Sequence, residues 1–450
     1  TRAGNFRFDN DGYLVDPHGY ALQGWEVQQS DNTVSSATTT GSSSNTRIVG
    51  TPTDIRLENF QSPPQYTTEV TMVTNLDPNT TSRSNSLAGN PYFAMFENWD
   101  STSTTGVPLS ENAYAYSSTI KVYDEIGTGH NMTVYFDQVT LSGAGGDTAW
   151  EYVVTVDPSE DGRKISGADG NLLRMDQTSA AGVLMVGTLT FRSGQLVGTS
   201  AFTLQSNGGI SGGVKDLRSW QPAEFSTDGY PLVTPNFLGR SNASLADSVN
   251  AHPIEVNFGL RNTDLSSGGG APAGWSVGLG TFPANAAAVG NAVSNTGWLP
   301  SFRDPELSAL ATQSYDTGGS STLFQSQDGY AAGFLQNVTV SRDGVLTGRY
   351  SNGQVLELYS LTLATFTNQW GLRRDGGNLF QETRDSGPAL TGQANTGGKG
   401  TIASNSLESS NVDMAKEFVS MITTQRGFQA NTKVITTTDS MLGEVIAMKR

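Results

Sequence analysis

The residues best suited to chemistry in this chain are three histidines and 42 acidic side chains. His18, His130 and His252 lie far apart in the sequence and lack the short spacing of metal ligands. We therefore expect hydrogen-bonded or solvated histidines and no metal centre. The sequence contains no pattern of a serine hydrolase, a zinc peptidase or a phosphate-binding loop. Its carboxylates could supply a glycosidase pair, but no two of them are singled out.

One short stretch, Asp9-Asn10-Asp11-Gly12, has the residue types that open a calcium-binding loop. Such a loop needs a bidentate glutamate at its twelfth position, and that position holds Tyr20. The dipeptide Asp11-Gly12 instead suits a tight hairpin turn, because its residues tolerate positive φ. The stretch therefore predicts a turn.

The composition narrows the class of protein further. The chain has 450 residues, a formal net charge of −16 and no cysteine. Without cysteine there are no disulfides, thiolate nucleophiles or zinc–thiolate sites. The negative charge argues against nucleic acid as a partner. No stretch approaches the roughly 18 apolar residues of a membrane span, so no membrane insertion is expected. No pattern calls for a cofactor, and we predict none.

Alternating apolar residues predict β-strands through most of the chain. Trp150, Tyr152, Val154 and Val156 occupy every second position, which predicts a strand with one buried face. The region 206–320 is rich in glycine, proline, asparagine and serine and predicts short strands between long loops, with one short helix inside 281–296. The predicted fold is mainly β, with several antiparallel sandwich-like or barrel-like domains inserted in one another and a long C-terminal helix for coiled-coil assembly.

From residue 411 the pattern becomes that of a helix with a heptad seam. Ser410 followed by Asp413 has the spacing of a capping box. The seam positions alternate four and three residues apart. They are Met414, Phe418, Met421, Gln425, Phe428, Thr432, Ile435, Asp439, Leu442 and Ile446. An adjoining stripe holds Val434, Met441, Val445 and Met448. A helix over 411–450 would be about 60 Å long.

No matching heptad occurs earlier in the chain. The seam therefore predicts a partner that is another chain or a segment ahead of Thr1. The apolar seam residues expected to carry assembly are Met414, Phe418, Met421, Phe428, Ile435, Leu442 and Ile446. The alternative is an ordinary helix packed on its own domain.

Both ends of the chain resemble the rod and hook axial proteins of the bacterial flagellum. The opening block TRAGNFRFDNDGYLVDPHGYALQGW is similar to a conserved block of that family, and 411–450 resembles its C-terminal helix, most closely that of hook proteins. Residues 116–136 with Trp150 downstream, and residues 328–387, are also similar to hook proteins. The positions that match the motifs of the family are Gly4, Phe6, Asp11, Gly12, Gly19, Asn411, Asp413, Gln425 and Arg426.

The resemblance implies a structural protein and not an enzyme. It implies a preceding helix and linker ahead of Thr1, where the family carries a helix that pairs with the C-terminal one. It also implies a division into domains: 1–76 with 325–390 as an inner β domain, 77–205 as an outer β domain, 206–324 as an elaborated or additional part of the outer domain, 391–410 as a linker, and 411–450 as the assembly helix.

The same resemblance implies partners and a location. The chain would form a helical homopolymer, the extracellular hook, which acts as a universal joint between motor and filament. Its other partners would be the flagellar rod, the hook cap, the hook–filament junction proteins and the type III export apparatus. The distal rod protein, which is shorter, is the alternative within the family. An exported surface adhesin or a glycan-active β protein is a more distant alternative.

Overall fold

A computed structural model describes residues 1, 3–28, 47–48, 51–57, 60–84, 91–103, 106–141, 146–166, 172–204, 213–237, 251–267, 272–276, 284–290 and 299–449. The chain divides into two compact units. The first unit comprises Thr1–Phe60, Gln336–Arg349 and Val355–Arg450, and the second comprises Gln61–Leu335 and Tyr350–Gln354. The finer five-part division expected from the resemblance stays a prediction.

The strands of the first part of the chain are β1 Arg7–Phe8, β2 Leu14–Val15, β3 Gln23–Gln28, β4 Arg47–Ile48, β5 Thr53–Asp54, β6 Gln61–Ser62, β7 Glu69–Asn75, β8 Tyr116–Tyr123, β9 Gly129–Val139, β10 Asp147–Thr155, β11 Lys164–Ser166, β12 Leu172–Arg174, β13 Val183–Arg192 and β14 Gln195–Leu204. Those that follow are β15 Trp220–Pro222, β16 Leu232–Val233, β17 Ile254–Asn257, β18 Leu260–Asn262, β19 Pro305–Leu307, β20 Ser321–Gln327, β21 Gly333–Val340, β22 Val345–Tyr350, β23 Val355–Thr365, β24 Arg373–Gly376, β25 Leu379–Gln381 and β26 Leu390–Gln393.

Three α-helices accompany these strands in the described residues: α1 Ala94–Asn98, α2 Ala286–Val289 and α3 Met414–Met448. Short 3₁₀ helices lie at Glu111–Ala113, Pro158–Glu160, Met175–Gln177, Leu217–Ser219 and Gln369–Gly371. The short helix expected inside 281–296 is present as α2. Among the described helices, none combines the length and the apolarity that a membrane crossing requires.

The second unit is built around a six-stranded sheet in the order β15-β14-β13-β10-β9-β8 and a four-stranded sheet in the order β16-β17-β7-β20. One core cluster joins apolar residues of both sheets, among them Met72, Phe136, Trp150 and Val256. The sheets are antiparallel except for β17, which pairs in parallel with β7. The predicted mainly β, antiparallel fold is therefore confirmed, with one parallel pair added.

Strand β10 shows how the second unit is layered. Trp150, Tyr152 and Val154 face the first core cluster, as their alternation predicts. Ala149 and Val153, on the opposite face, belong to a second cluster that includes residues of α1 and α2. The expectation of a single buried face was therefore incomplete, because helices cover the other side of the sheet. A strand buried on both faces is typical of the central layer of a three-layer unit.

The first unit has a smaller core. Its sheet runs β4-β3-β23-β22-β21, with β26 beside β23 and β5 beside β3. The buried residues are Leu14, Ile55, Leu346 and Leu361, and Phe6, Phe8 and Tyr359 pack against them. The strand predictions around Asp343-Gly344 and Asn352-Gly353 are met by the hairpins β21–β22 and β22–β23.

One type of turn occurs twice near the start of the first unit. Asp9 Oδ1 accepts the backbone N–H groups of Asp11 (2.9 Å) and Tyr13 (2.8 Å). Asp16 Oδ1 makes the same pair of bonds to His18 and Tyr20, both at 2.9 Å. In each turn a glycine three residues after the aspartate has positive φ, 83° at Gly12 and 91° at Gly19. The aspartate oxygen is thus occupied by backbone donors, as expected for a turn and not for a calcium loop.

Candidate assembly surface

The feature of this chain that most resembles a functional site is the helix α3. Asp413 Oδ1 accepts the N–H groups of Ala415 (2.9 Å) and Lys416 (3.4 Å), so Asp413 is the N-cap. Glu417 adds a second negative charge to the first turn, where it interacts favourably with the helix dipole. The capping box expected to open at Ser410 is not formed. Ser410 instead accepts an N–H from Val412 at 3.2 Å, and the helix begins three residues later than expected.

The apolar seam of α3 is uncovered along its whole length. No residue of the helix is buried. The exposed fractions of the seven apolar seam residues run from 52% at Phe418 to 73% at Phe428. The adjoining stripe is exposed as well, at Val434, Met441, Val445 and Met448. A contiguous apolar surface of this kind marks an interaction site, because water contact with so many apolar side chains is unfavourable.

The threonine hydroxyl groups of α3 are satisfied within the helix. Thr432 Oγ1 donates to the carbonyl oxygen of Phe428 at 3.0 Å, and Thr424 Oγ1 donates to that of Ser420 at 2.8 Å. Thr438 bonds Val434 in the same way at 2.8 Å. A buried hydroxyl is costly only when its hydrogen bond is missing. The threonines that interrupt the apolar pattern can therefore enter an interface without an unpaired group.

Two other seam positions of α3 hold an amide or a carboxylate side chain instead of a hydroxyl group. Gln425 and Asp439 are exposed and stand among the apolar knobs. A polar residue at a core position of a coiled coil lowers stability and fixes the register of the partners. If a partner covers the seam, Asp439 would require a cation or water at the contact, because an unpaired buried carboxylate is strongly unfavourable. Gln425 and Asp439 would therefore fix the register in which a partner packs on the seam.

The motif positions near the start of the chain have local structural roles. Phe6 packs on the core of the first unit. The backbone of Gly12 lies against Leu57, and Gly19 closes the second aspartate turn. Gly4, Asp11, Asn411 and Arg426 are exposed. Their contribution to assembly, like that of the seam residues, stays a prediction.

The three histidines have partners within the chain. His18 Nδ1 lies 3.2 Å from Asp16 Oδ2. His130 is buried, with Nδ1 2.8 Å from Glu160 Oε2 and its ring stacked on Phe237. His252 stacks on Tyr66. In the part of the chain that the structure describes, no group of three or more potential ligands could hold a metal ion.

Two buried carboxylates were not recognised in the sequence. Glu151, on β10, accepts the N–H groups of Met95 (3.0 Å) and Phe96 (2.9 Å) at the start of α1, and burial raises its pKa to about 8. Asp137, on β9, accepts the N–H groups of Arg83 (3.0 Å) and Ser84 (2.8 Å). Each carboxylate therefore holds backbone that precedes β8 against the six-stranded sheet. Backbone donors occupy their oxygens, so neither is placed as a glycosidase acid. No local pattern marks them, because each partner lies more than fifty residues away.

A mainly β body with a long helix left uncovered along a heptad seam is the architecture of a structural protein that joins other chains. Comparison with known families agrees. Residues 98–330 match the flagellar basal body protein FlaE D2 domain, and residues 403–448 match the C-terminal part of the flagellar basal body rod FlgEFG proteins. Since the first match covers more than half of the chain, the chain belongs to the flagellar basal body family that carries the FlaE D2 domain. The expectation of a structural, non-catalytic protein of this family is thereby confirmed.

Several relatives are flagellar hook proteins FlgE. The Helicobacter pylori protein is 47% identical over 131 residues, which are 29% of this chain and 18% of that protein. The Treponema pallidum protein is 28% identical over the whole chain and 76% of its own length. The Escherichia coli protein is 34% identical over 50% of this chain and 60% of its own length. The matches thus span less than two thirds of the Helicobacter and Escherichia proteins. A crystal structure of Helicobacter pylori flagellar hook protein FlgE2 gives a TM-score of 0.41 at 15% identity, over 91% of each chain.

Proposed function

We propose that this chain is a subunit of the bacterial flagellar hook, and that it polymerises outside the cell into a curved tube that transmits torque from motor to filament. The observation that carries the proposal is the uncovered seam of α3, which lies within the region matched to rod and hook C-termini. The hook description of the relatives supports it.

The apolar seam of α3 and the polar surfaces of the β units suggest how one polymer can resist twist and still bend. Apolar knobs packed into holes cannot slide without exposing themselves to water, so contacts along α3 would be stiff. The serine, threonine and asparagine side chains on the β units would form polar contacts. These break and re-form at small cost, because water replaces the lost hydrogen bonds. Stiffness and flexibility would then come from different parts of one subunit.

Further partners belong to the same proposal. The ends of a hook polymer must meet the flagellar rod, the hook cap and the hook–filament junction proteins, and the subunit must pass the export apparatus. Copies would join head to tail, since contacts of that kind do not close and so generate a helical tube. The division into inner β domain, outer β domain, linker and assembly helix is part of this proposal.

The test is electron microscopy of basal bodies from cells that lack the gene. We expect complete rods that carry neither hook nor filament, and restoration of both by the intact gene. Incomplete rods would assign the chain to the rod proteins instead. Unchanged flagella would refute the proposal.

A further inference from the structure

The sulfur atoms of this chain belong to nine methionines, since the chain has no cysteine. Five methionines have none of their surface in contact with solvent. These core methionines are Met72, Met95, Met132, Met175 and Met185. The other four lie on α3, and their exposed fractions run from 54% at Met421 to 85% at Met448. These α3 methionines are Met414, Met421, Met441 and Met448. Solvent-exposed sulfur is thus confined to one helix.

The core methionines are enclosed by other buried side chains. Met132 and Met185 lie in the first core cluster, where the hydroxyl of Tyr152 donates to Met185 Sδ at 3.5 Å. Met95 lies in the second core cluster, and Met175 lies in a third, smaller one. A reagent dissolved in water reaches such sulfur atoms only when the fold opens, so the core methionines are protected by the stability of the second unit.

The α3 methionines form two pairs on different sides of the helix. Met414 and Met421 occupy the seam, seven residues apart. Met441 and Met448 have the same spacing and occupy the adjoining stripe. Residues seven apart lie on one side of a helix, because seven residues make nearly two turns. The first pair therefore supplies two of the apolar knobs of the seam, and the second pair lies beside the seam.

Hydrogen peroxide converts an accessible methionine into its sulfoxide. The lone pair of the sulfur attacks one peroxide oxygen, so that an S–O bond forms and the O–O bond breaks. The transferred oxygen gives its proton to the departing hydroxide, which leaves as water. The sulfur loses two electrons and the peroxide gains them. The product carries a polar S–O group, which is costly to bury without a hydrogen bond, so a sulfoxide at a knob position opposes packing of the seam.

We propose that the α3 methionines are the sites at which peroxide oxidises the unassembled subunit, and that sulfoxides at Met414 and Met421 block assembly until a methionine sulfoxide reductase removes them. The block rests on the proposed function, because it needs a polymer, whereas the sites of oxidation do not. Packing of the seam would in turn shield both sulfur atoms. The subunit is therefore sensitive to peroxide before it joins the polymer and resistant afterwards.

The first experiment maps oxidation in the monomeric full protein by peroxide treatment, proteolytic digestion and mass spectrometry. The α3 methionines should be oxidised at least about tenfold faster than the core methionines, and all nine should react at similar rates in urea that unfolds the chain. Peroxide is preferred to hypochlorous acid, which also attacks indoles, because the Trp370 side chain is 94% exposed. Equal rates for the two groups in the folded protein would overturn the inference.

The second experiment measures the critical concentration for polymerisation before and after peroxide treatment, each variant against its own untreated sample. Oxidation should raise this concentration for the parent by roughly tenfold, and methionine sulfoxide reductase should restore it. The variant Met414→Leu with Met421→Leu should lose most of this effect. The matched control, Met441→Leu with Met448→Leu, should keep it. A seam variant as sensitive to peroxide as the parent would overturn the block at the seam.

The third experiment treats polymer that was formed before peroxide is added. Met414 and Met421 should be oxidised more slowly in the polymer than in the monomer, because packing of the seam shields them. Unchanged rates would contradict the inference. If the untreated protein forms no polymer, the proposed function fails and the assembly block fails with it, whereas the oxidation map of the monomer still decides whether α3 carries the reactive sulfur atoms.

Discussion

A Cβ atom built on Gly12 would lie 2.4 Å from the carbonyl oxygen of Leu57. The two residues are also joined by a hydrogen bond from Leu57 N to Gly12 O at 2.9 Å. The turn at residues 9–13 is thereby packed against the extended segment that contains Leu57. Glycine is required at this position for two reasons, the positive φ of 83° and the absence of space for a side chain.

The substitution Gly12→Ala should destabilise the first unit. Left-handed backbone strain alone costs about 1–2 kcal/mol, and the clash with Leu57 adds to it. Gly19→Ala is the matched control, because Gly19 has φ 91° but nothing within 4 Å of its Cβ position. Urea unfolding followed by circular dichroism should show a larger loss for Gly12→Ala than for Gly19→Ala. Equal losses would mean that the contact with Leu57 is relieved at no cost.

Glu151 should make the stability of the second unit depend on pH. Its pKa is raised from an ordinary value of 4.5 to about 8, chiefly by burial, while two backbone donors act in the opposite direction and Asp137 and Glu97 add repulsion. Between these values the folded chain keeps a proton that the unfolded chain has lost. The stabilisation is therefore complete below pH 4.5 and is lost as the pH rises towards 8, with a slope of at most about 1.4 kcal/mol per pH unit.

Glu151→Gln removes this titration. The free energy of unfolding of the variant, measured in urea at intervals from pH 5 to pH 8, should fall less steeply than that of the parent. The control variant Glu111→Gln, at an exposed position, should show the same dependence of unfolding free energy on pH as the parent. Parallel curves for Glu151→Gln and the parent would show that Glu151 is ionised in the folded protein throughout this range.

The seam of α3 should be required for polymerisation and dispensable for the fold. Phe418→Asp and Leu442→Asp each place a charge at a knob position, and burying an unpaired charge in an apolar interface is prohibitive. Because both residues are exposed in the subunit, its unfolding free energy should change by no more than about 0.5 kcal/mol. Sedimentation would measure the amount of polymer formed, and urea unfolding would measure the unfolding free energy of the subunit.

Thr423→Asp is the control for the seam, since residue 423 lies about 140° around the helix from Phe418. This variant should polymerise better than either seam variant. Normal hooks from Phe418→Asp or Leu442→Asp would refute the assignment of the seam.

The sequence predicted those parts of the fold that depend on neighbouring residues. Asp11-Gly12 and Asn352-Gly353 mark their turns because positive φ is a local requirement. The alternation from Trp150 to Val156 marks its strand, and the four-and-three spacing after Met414 marks α3. The position of the helix cap was wrong by three residues, because Ser410 and Asp413 both have side chains that can cap.

What could not be predicted depends on residues distant in sequence. The parallel pairing of β17 with β7 joins Val256 to Val70, and no local pattern specifies such a partner. Glu151 occupies an alternating position that looks exposed, and only the covering segment around Met95 makes it buried. The exposure of Trp370 was likewise not foreseen, since a single aromatic residue in a turn is more often part of a core.

The composition of α3 bears on how its polymer would begin. The helix contains six threonines and two glycines, which are weak helix formers, and in the subunit no tertiary packing supports them. Its order would then come largely from whatever covers its seam, either a segment ahead of Thr1 or neighbouring copies; where copies cover it, folding of the helix and addition to the polymer are coupled. The first few copies would gain little free energy by associating. Each later copy would gain much more when it joins the polymer. Growth is therefore expected to show a lag, a critical subunit concentration and strong acceleration by preformed ends.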